Sequence, residues 1–277
     1  MRPATLAGLA PRFDAFLVDQ FGVLLAGNGA YPWAPRALSL LARTGKPVIL
    51  LSNSGKRSAP NAARLERLGF ARDSFRLVLS SGEAAYRMLR ARALPAGTPV
   101  WLHARDGDES AIAGLGFEPV ADPVAARLLV LAGSRADELD LDAYRALLAP
   151  AAARSVPMIC TNPDVEMLTP SGIRPGAGRI AALYEELGGA VEWIGKPHPL
   201  VYAEAARLLP GVAAERVLCI GDSPAHDIAG GRAAGHATAL VRSGLHAEAD
   251  DAELAALCRA AGVEPDYVLS RFDWPEA

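Results

Sequence analysis

Cysteine is scarce in this chain. Cys160, Cys219 and Cys258 stand far apart and odd in number, so they form neither a CxxC metal pair nor a disulfide framework. That usage fits a reducing, cytoplasmic compartment. An excess of either charge is also lacking: 28 basic against 31 acidic residues leave -3, which suggests neither nucleic acid nor an anionic membrane as a partner. No apolar run approaches the ~20 residues a membrane span requires, and MRPATLAGLAPRF is too broken to serve as a signal peptide. The five histidines have no paired metal-ligand spacing. GxSxG is missing, which argues against a serine hydrolase of the α/β type. Internal repeats and low-complexity tracts are absent too. What remains is ordinary for a globular protein: 51% hydrophobic, 21% charged, and 277 residues, enough for one large domain or two modest ones.

The chain is organised around FDAFLVDQFGVLL, residues 13–25. Phe16-Leu17-Val18 ends abruptly at Asp19, and Gly22 follows, as in a buried parallel strand that opens into a turn. A carboxylate at the carboxyl end of such a strand lies where open α/β sheets bind ligands. Asp19 is therefore a candidate nucleophile or metal ligand, with a turn-initiating aspartate as the alternative. The alternation then continues. Helical patterns around Leu38–Leu41, Ala62–Leu68, Tyr86–Leu89 and Ala143–Leu148 separate strand candidates at Pro47–Leu51, Phe75–Leu79, Val100–Leu102, Leu128–Leu131 and Val156–Thr161. MLTPSGIRPGAG interrupts the rhythm with two prolines and three glycines and reads as a crossing between domains. Strands follow at Val191–Ile194, Arg216–Ile220, Thr238–Val241 and Tyr267–Leu269, with helices between them. The pattern predicts an α/β fold with a doubly wound parallel sheet.

Four strands end in polar residues: Asp19, Ser52, Lys196 and Asp222, with Asp227 just beyond. A parallel sheet collects such ends on one edge. Two or three carboxylates suit a hard cation such as Mg²⁺, while a hydroxyl and a lysine suit phosphoryl oxygens. Ser52 also reads as a turn or helix cap, and Asn162 and Asp164 as an Asx-type turn before Pro163.

These residues carry a resemblance. Val18-Asp19-Gln20-Phe21-Gly22-Val23, Leu51-Ser52-Asn53, Thr161-Asn162-Pro163-Asp164, Pro175-Gly176-Ala177-Gly178, Gly195-Lys196-Pro197 and Gly221-Asp222-Ser223 with Asp227-Ile228 occur in one order over nearly the whole chain. In this the chain resembles the haloacid dehalogenase superfamily, class IIA. The resemblance implies a Rossmann-like catalytic core over 1–82 and 176–277, an inserted α/β cap over 83–175, and a homodimer as one option. It implies a Mg²⁺-dependent phosphatase of a small phosphorylated metabolite, a sugar or nucleotide phosphate. Asp19 would form an aspartyl-phosphate and share Mg²⁺ with the Phe21 carbonyl oxygen and Asp222. Asp227 would support the metal's water shell or orient Lys196. Ser52 and Lys196 would hold the phosphate with help from Asn53, and Asn162 and Asp164 would face the substrate.

One position departs from that pattern. Most of the superfamily's phosphatases carry a second Asp two residues after the nucleophile, as general acid and base; here that position is Phe21. Such help is worth roughly 10²–10⁴-fold. Haloacid dehalogenases, which use no metal, have an aromatic residue there. A metal-independent dehalogenase and a non-catalytic phosphometabolite-binding protein are therefore the rival expectations. Ser54-Gly55-Lys56 lacks the remainder of a P-loop. GAGRIA at 176–181 matches a dinucleotide fingerprint but follows a loop, so helix entry and close packing explain it better. His226 reads as a solvated residue or a substitute acid.

Overall fold

The computed structural model describes residues 1–169 and 172–275. Pro170 and Ser171, in the expected domain crossing, lie outside the described residues, as do Glu276 and Ala277. The chain forms two compact units. The first comprises Met1–Ser52, Ser58–Leu79 and Lys196–Ala277, and the second Asn53–Arg57 and Ser80–Gly195.

The first unit is built on a seven-stranded sheet in the order Arg2–Pro3, Tyr267–Leu269, Ala237–Val241, Val217–Gly221, Ala15–Asp19, Val48–Ser52, Leu77–Ser80. Every pair from Arg2–Pro3 to Val48–Ser52 is parallel. All five residues of Ala15–Asp19, Val48–Ser52 and Val217–Gly221 are buried, which is why these strands read as continuous apolar runs rather than alternating ones. Phe16, Val18, Leu50, Leu218 and Ile220 share one core with Leu38, Leu41 and Leu65 from flanking helices. Full burial of one such side chain stabilises by roughly 1.5–3 kcal/mol. From Ala15–Asp19 the chain winds outward through Val48–Ser52 to Leu77–Ser80, then returns at Val217–Gly221 and winds the other way. The order reverses between the strands that carry Asp19 and Asp222. That is the topological switch point, where open α/β sheets leave a crevice beyond the strand ends.

The second unit has its own five-stranded parallel sheet, Val191–Trp193, Met158–Cys160, Leu128–Leu131, Pro99–His103, Glu118–Pro119. Helices Leu141–Ala153 and Ala177–Glu186 bury Tyr144, Leu148, Ile180 and Tyr184 in its core. In the GAGRIA stretch, a Cβ on Gly176 would lie 2.1 Å from the Asp164 carbonyl oxygen, and one on Gly178 2.1 Å from that of Pro163. Close packing at a helix entrance accounts for both.

Two expectations need correction. The stretch read as a crossing between domains forms an antiparallel hairpin, Glu166–Thr169 with Gly172–Pro175, inside the second unit. The second unit also ends at Gly195, not at Pro175, because Val191–Trp193 pairs with Met158–Cys160 and completes its sheet. Its start moves from Glu83 to Ser80. Gly82 is packed tight there, since a Cβ on it would sit 1.9 Å from the Gly55 carbonyl oxygen. Sequence pattern gave no sign of this because the boundary lies in sheet pairing, which a one-dimensional rhythm of strand and helix does not reveal.

The units make the cut point testable. Removing 83–175 strands Ala177–Glu186 without its sheet and exposes Ile180, Leu183 and Tyr184. That chain is expected to aggregate, whereas one lacking 80–195 and joined by a short Gly/Ser linker stays soluble and melts cooperatively. Size-exclusion chromatography and thermal melts of the two chains check this. A soluble, cooperatively melting 83–175 deletion would restore the earlier boundary.

Candidate active site

Asp19 ends its strand and Asp222 directly follows Val217–Gly221, so neighbouring parallel strands deliver both carboxylates to the switch point. Asp227 follows within the turn of helix Pro224–Ile228. All three are buried, and a carboxylate oxygen of each lies within 4.8 Å of one from the others. Lys196 Nζ donates to Asp19 Oδ1 at 2.5 Å and to Asp227 Oδ1 at 2.7 Å. The Ser223 amide donates to Asp227 Oδ2 at 3.1 Å. Asp227 thus has both oxygens engaged and holds the lysine.

The backbone makes room for this cluster. Gly22 has φ +80°, in the left-handed region, and a Cβ there would meet Asp222 Oδ2 at 1.9 Å. Gly244, at φ +78°, approaches the same oxygen, and its imagined Cβ would lie 2.1 Å away. Ser243 Oγ donates to the Gly22 carbonyl at 2.5 Å, and the Gly244 amide donates to Tyr31 Oη at 3.1 Å. Ser243 and Gly244 escaped sequence reasoning. Their one signal is a Ser-Gly pair shortly after the strand Ala237–Val241, too common a turn to single out.

Electrostatics sets the requirement. At an effective dielectric near 20, two carboxylates 4.8 Å apart repel by about 3.5 kcal/mol. Three such pairs face a single ammonium. Burial pushes the Asp19 carboxyl well above the usual range; Lys196 pulls it back, but Asp227 and Asp222 push it further up. Burial alone would lower the Lys196 pKa, yet Asp19 and Asp227 outweigh it and hold the ammonium above an ordinary lysine. The site calls for more positive charge.

A hard divalent cation fits the residues present. The donors are all oxygens, as Mg²⁺ prefers. Around Asp19 the Gln20 carbonyl accepts from the Leu24 and Leu25 amides, and the Gly22 carbonyl accepts from Ser243. Between them, the Phe21 carbonyl takes part in no hydrogen bond among the described residues. Asp19, the Phe21 carbonyl and Asp222 are the groups that would hold the ion.

The other expected residues divide between the two units. Ser52 is buried at the end of Val48–Ser52, one strand from Asp19. Asn53, Asn162 and Asp164 belong to the second unit. There the Asn162 side chain accepts from the Asp164 amide at 3.2 Å, the Asx-type turn foreseen, and Asn53 Nδ2 donates to Asp164 Oδ1 at 2.8 Å. His226 is half-buried beside Asp227 in sequence. Phe21 is 48% exposed.

Comparison with known proteins supplies the family. A haloacid dehalogenase-like hydrolase model matches residues 16–118, and a HAD-hydrolase-like model matches residues 193–274. The dihydroxyacetone phosphatase of Corynebacterium glutamicum is 31% identical over 242 residues, spanning 87% of this chain and 84% of that protein. The chain belongs to the haloacid dehalogenase-like hydrolases. Within them its motif order and full-length relatives place it in class IIA. A haloacid dehalogenase-like hydrolase of Brucella suis shares the fold with TM-score 0.82 and 26% identity, covering 97% of this chain and 99% of that one. A glycerol phosphate phosphatase of Mycobacterium tuberculosis, solved with magnesium, matches with TM-score 0.73 and 26% identity over 95% of this chain and 76% of that one. No helix among the described residues of this hydrolase is long and apolar enough to cross a membrane.

The charge argument predicts metal linkage to stability. Free Mg²⁺ at 100 times its dissociation constant would stabilise by about 2.7 kcal/mol, a rise in melting temperature of about 5–10 °C. Asp222→Asn should lose most of that rise. An equal rise in wild type and variant, measured by thermal melts, would place the ion elsewhere.

Proposed function

We propose that this hydrolase is a Mg²⁺-dependent phosphatase that removes phosphate from a small phosphorylated metabolite, a sugar or nucleotide phosphate, through a phosphorylated Asp19. The observation that carries the reading is the convergence of Asp19, Asp222, Asp227 and Lys196 at the switch point of the sheet. Relatives named as phosphatases of small phosphate esters support the substrate class. When bound, the cation supplies charge neutralisation between the carboxylates and the phosphoryl oxygens.

Within the chain the roles divide by geometry. Asp19 Oδ1 is held by Lys196, and its second oxygen, which has no hydrogen bond among the described residues, attacks phosphorus while the bond from phosphorus to the ester oxygen breaks and its electron pair leaves on that oxygen. Lys196 and the Ser52 hydroxyl neutralise and orient the phosphoryl oxygens. Asp227 fixes the lysine. Water then attacks phosphorus and frees the Asp19 carboxylate. The unit formed by Asn53–Arg57 and Ser80–Gly195 serves as the substrate-selecting cap, with Asn53, Asn162 and Asp164 as its polar candidates. Three buried, unpaired cysteines suit a cytoplasmic enzyme.

A panel of phosphorylated metabolites assayed with and without Mg²⁺ tests the reading, and Asp19→Asn should abolish turnover while leaving the fold intact. Full activity in excess chelator would instead favour dehalogenation. Phe21 adds a second expectation. Its ring cannot donate a proton, so acidic aryl phosphates should be hydrolysed far faster than alkyl phosphates. Phe21→Asp should raise the alkyl rate selectively, by up to about 10²–10⁴-fold. A wild type that hydrolyses both classes equally would show that another group, such as His226, supplies the proton.

A further inference from the structure

The sheet order places Val217–Gly221, the strand that leads to Asp222, between Ala15–Asp19 and Ala237–Val241. Those two flanking strands stand about 9.5 Å apart, two strand spacings. Beyond their ends the chain closes that gap. Ser243, just past Ala237–Val241, donates its buried hydroxyl to the Gly22 carbonyl at 2.5 Å. A Cβ on Gly244 would lie 2.4 Å from the Gly22 Cα, so with one carbon–carbon bond added the two glycine Cα atoms are no more than about 4 Å apart. The Gly22 amide donates to the Leu25 carbonyl at 2.8 Å, and the Gly244 amide to Tyr31 Oη at 3.1 Å. An arch of backbone thus spans the end of the middle strand, pinned on both sides, and packed against it is the Asp222 carboxylate. Imagined Cβ atoms on Gly22 and Gly244 fall 1.9 and 2.1 Å from the same oxygen, Oδ2. Tyr31, Ser243 and Gly244 belong to the same unit as Asp19 and Asp222.

We propose that Ser243 is a positioning residue for the cation: its hydrogen bond closes the arch that fixes the aim of the Asp222 carboxylate, and so sets the affinity for Mg²⁺ and its preference over Ca²⁺. The inference rests on the reading of Asp19, the Phe21 carbonyl and Asp222 as the groups that hold the ion. Ser243 acts through Gly22 and Asp222 rather than as a ligand. Repulsion from Asp19 and Asp227 works to turn Asp222 away from the cluster, and the backbone packed against Oδ2 leaves no room on that side. The Gly22 carbonyl is one peptide beyond that of Phe21, so the same bond steadies the turn that carries the Phe21 carbonyl. Mg²⁺ demands near-ideal octahedral geometry, whereas Ca²⁺ takes about six to eight oxygens in flexible arrangements. Loosening the arch therefore costs Mg²⁺ more than Ca²⁺. Partners that orient a metal's ligands without touching the metal are a general determinant of affinity.

The test titrates Mg²⁺ and Ca²⁺ by isothermal calorimetry into metal-free wild type, Ser243→Ala, Ser243→Thr and Tyr31→Phe, with thermal melts in chelator alongside. Ser243→Ala should weaken Mg²⁺ binding by about 10–100-fold, the usual cost of losing a group that orients a metal ligand, and Ca²⁺ binding by less. Ser243→Thr keeps a hydroxyl and should restore most of the affinity and of the Mg²⁺-to-Ca²⁺ ratio. Tyr31→Phe removes the acceptor of the Gly244 amide and should shift the ratio the same way by a smaller amount. It decides the matter should Ser243→Ala fail to fold. Unchanged Mg²⁺ affinity and an unchanged ratio in the folded variants, with only the metal-free melting temperature lowered, would overturn the positioning role and leave the phosphatase standing. A wild type that binds no Mg²⁺ would overturn both.

Discussion

Three carboxylates and one ammonium are buried together at the switch point of the sheet, and the first unit is arranged around that imbalance. Apolar strands end there because the chain must cross from a dry core to a polar rim within one residue, as at Val18 and Asp19. Lys196 offsets part of the repulsion, and its two short contacts fix the orientation of Asp19 and Asp227. The remainder is a standing demand for positive charge. The same demand would hold a divalent ion and attract a phosphoryl group to it. Burial, which raises the cost of the cluster, also strengthens every interaction a ligand makes with it.

The demand is sustained by local backbone rather than by the charged groups alone. Asp222 has room because two glycines in the left-handed region stand beside it where any side chain would collide. Ser243 ties the carbonyl of one of them to the loop that follows the neighbouring strand. The like charges are thus packed against turns held by hydrogen bonds of their own at the Gln20 and Gly22 carbonyls. Phe21 belongs to the same turn. Its side chain is half exposed and lies under the Arg64 guanidinium, 4.7 Å from the ring centre.

Much of this was legible in the sequence. Buried parallel strands write themselves as unbroken apolar runs, and a polar residue at the end of each, Asp19, Ser52 and Asp222, marks the rim. Lys196 reads as a fourth strand end of the same sheet, but Val191–Trp193 pairs in the second unit's sheet, and the lysine reaches Asp19 and Asp227 from a turn. Sheet pairing was not legible. Val191–Trp193 has the same pattern whichever sheet it joins, and only its partner Met158–Cys160 assigns it to the second unit. Side-chain contacts between distant residues were equally hidden. Arg64 reads as one more exposed helix arginine until the turn after Asp19 brings Phe21 beneath it, and Ser243 has no motif. Asn162 shows the opposite case, where the plain Asx-turn reading holds in the fold.

The central claim is that the buried cluster makes Asp19 a nucleophile toward phosphorus. The most direct measurement is a rapid acid quench during turnover of a substrate labelled in its transferable phosphate, followed by proteolysis and mass spectrometry. The account predicts one labelled phosphoryl group on the peptide that contains Asp19, formed at a rate no slower than turnover. Release of labelled phosphate with no phosphoryl group on Asp19 at any time, or with the group on another residue, would contradict it.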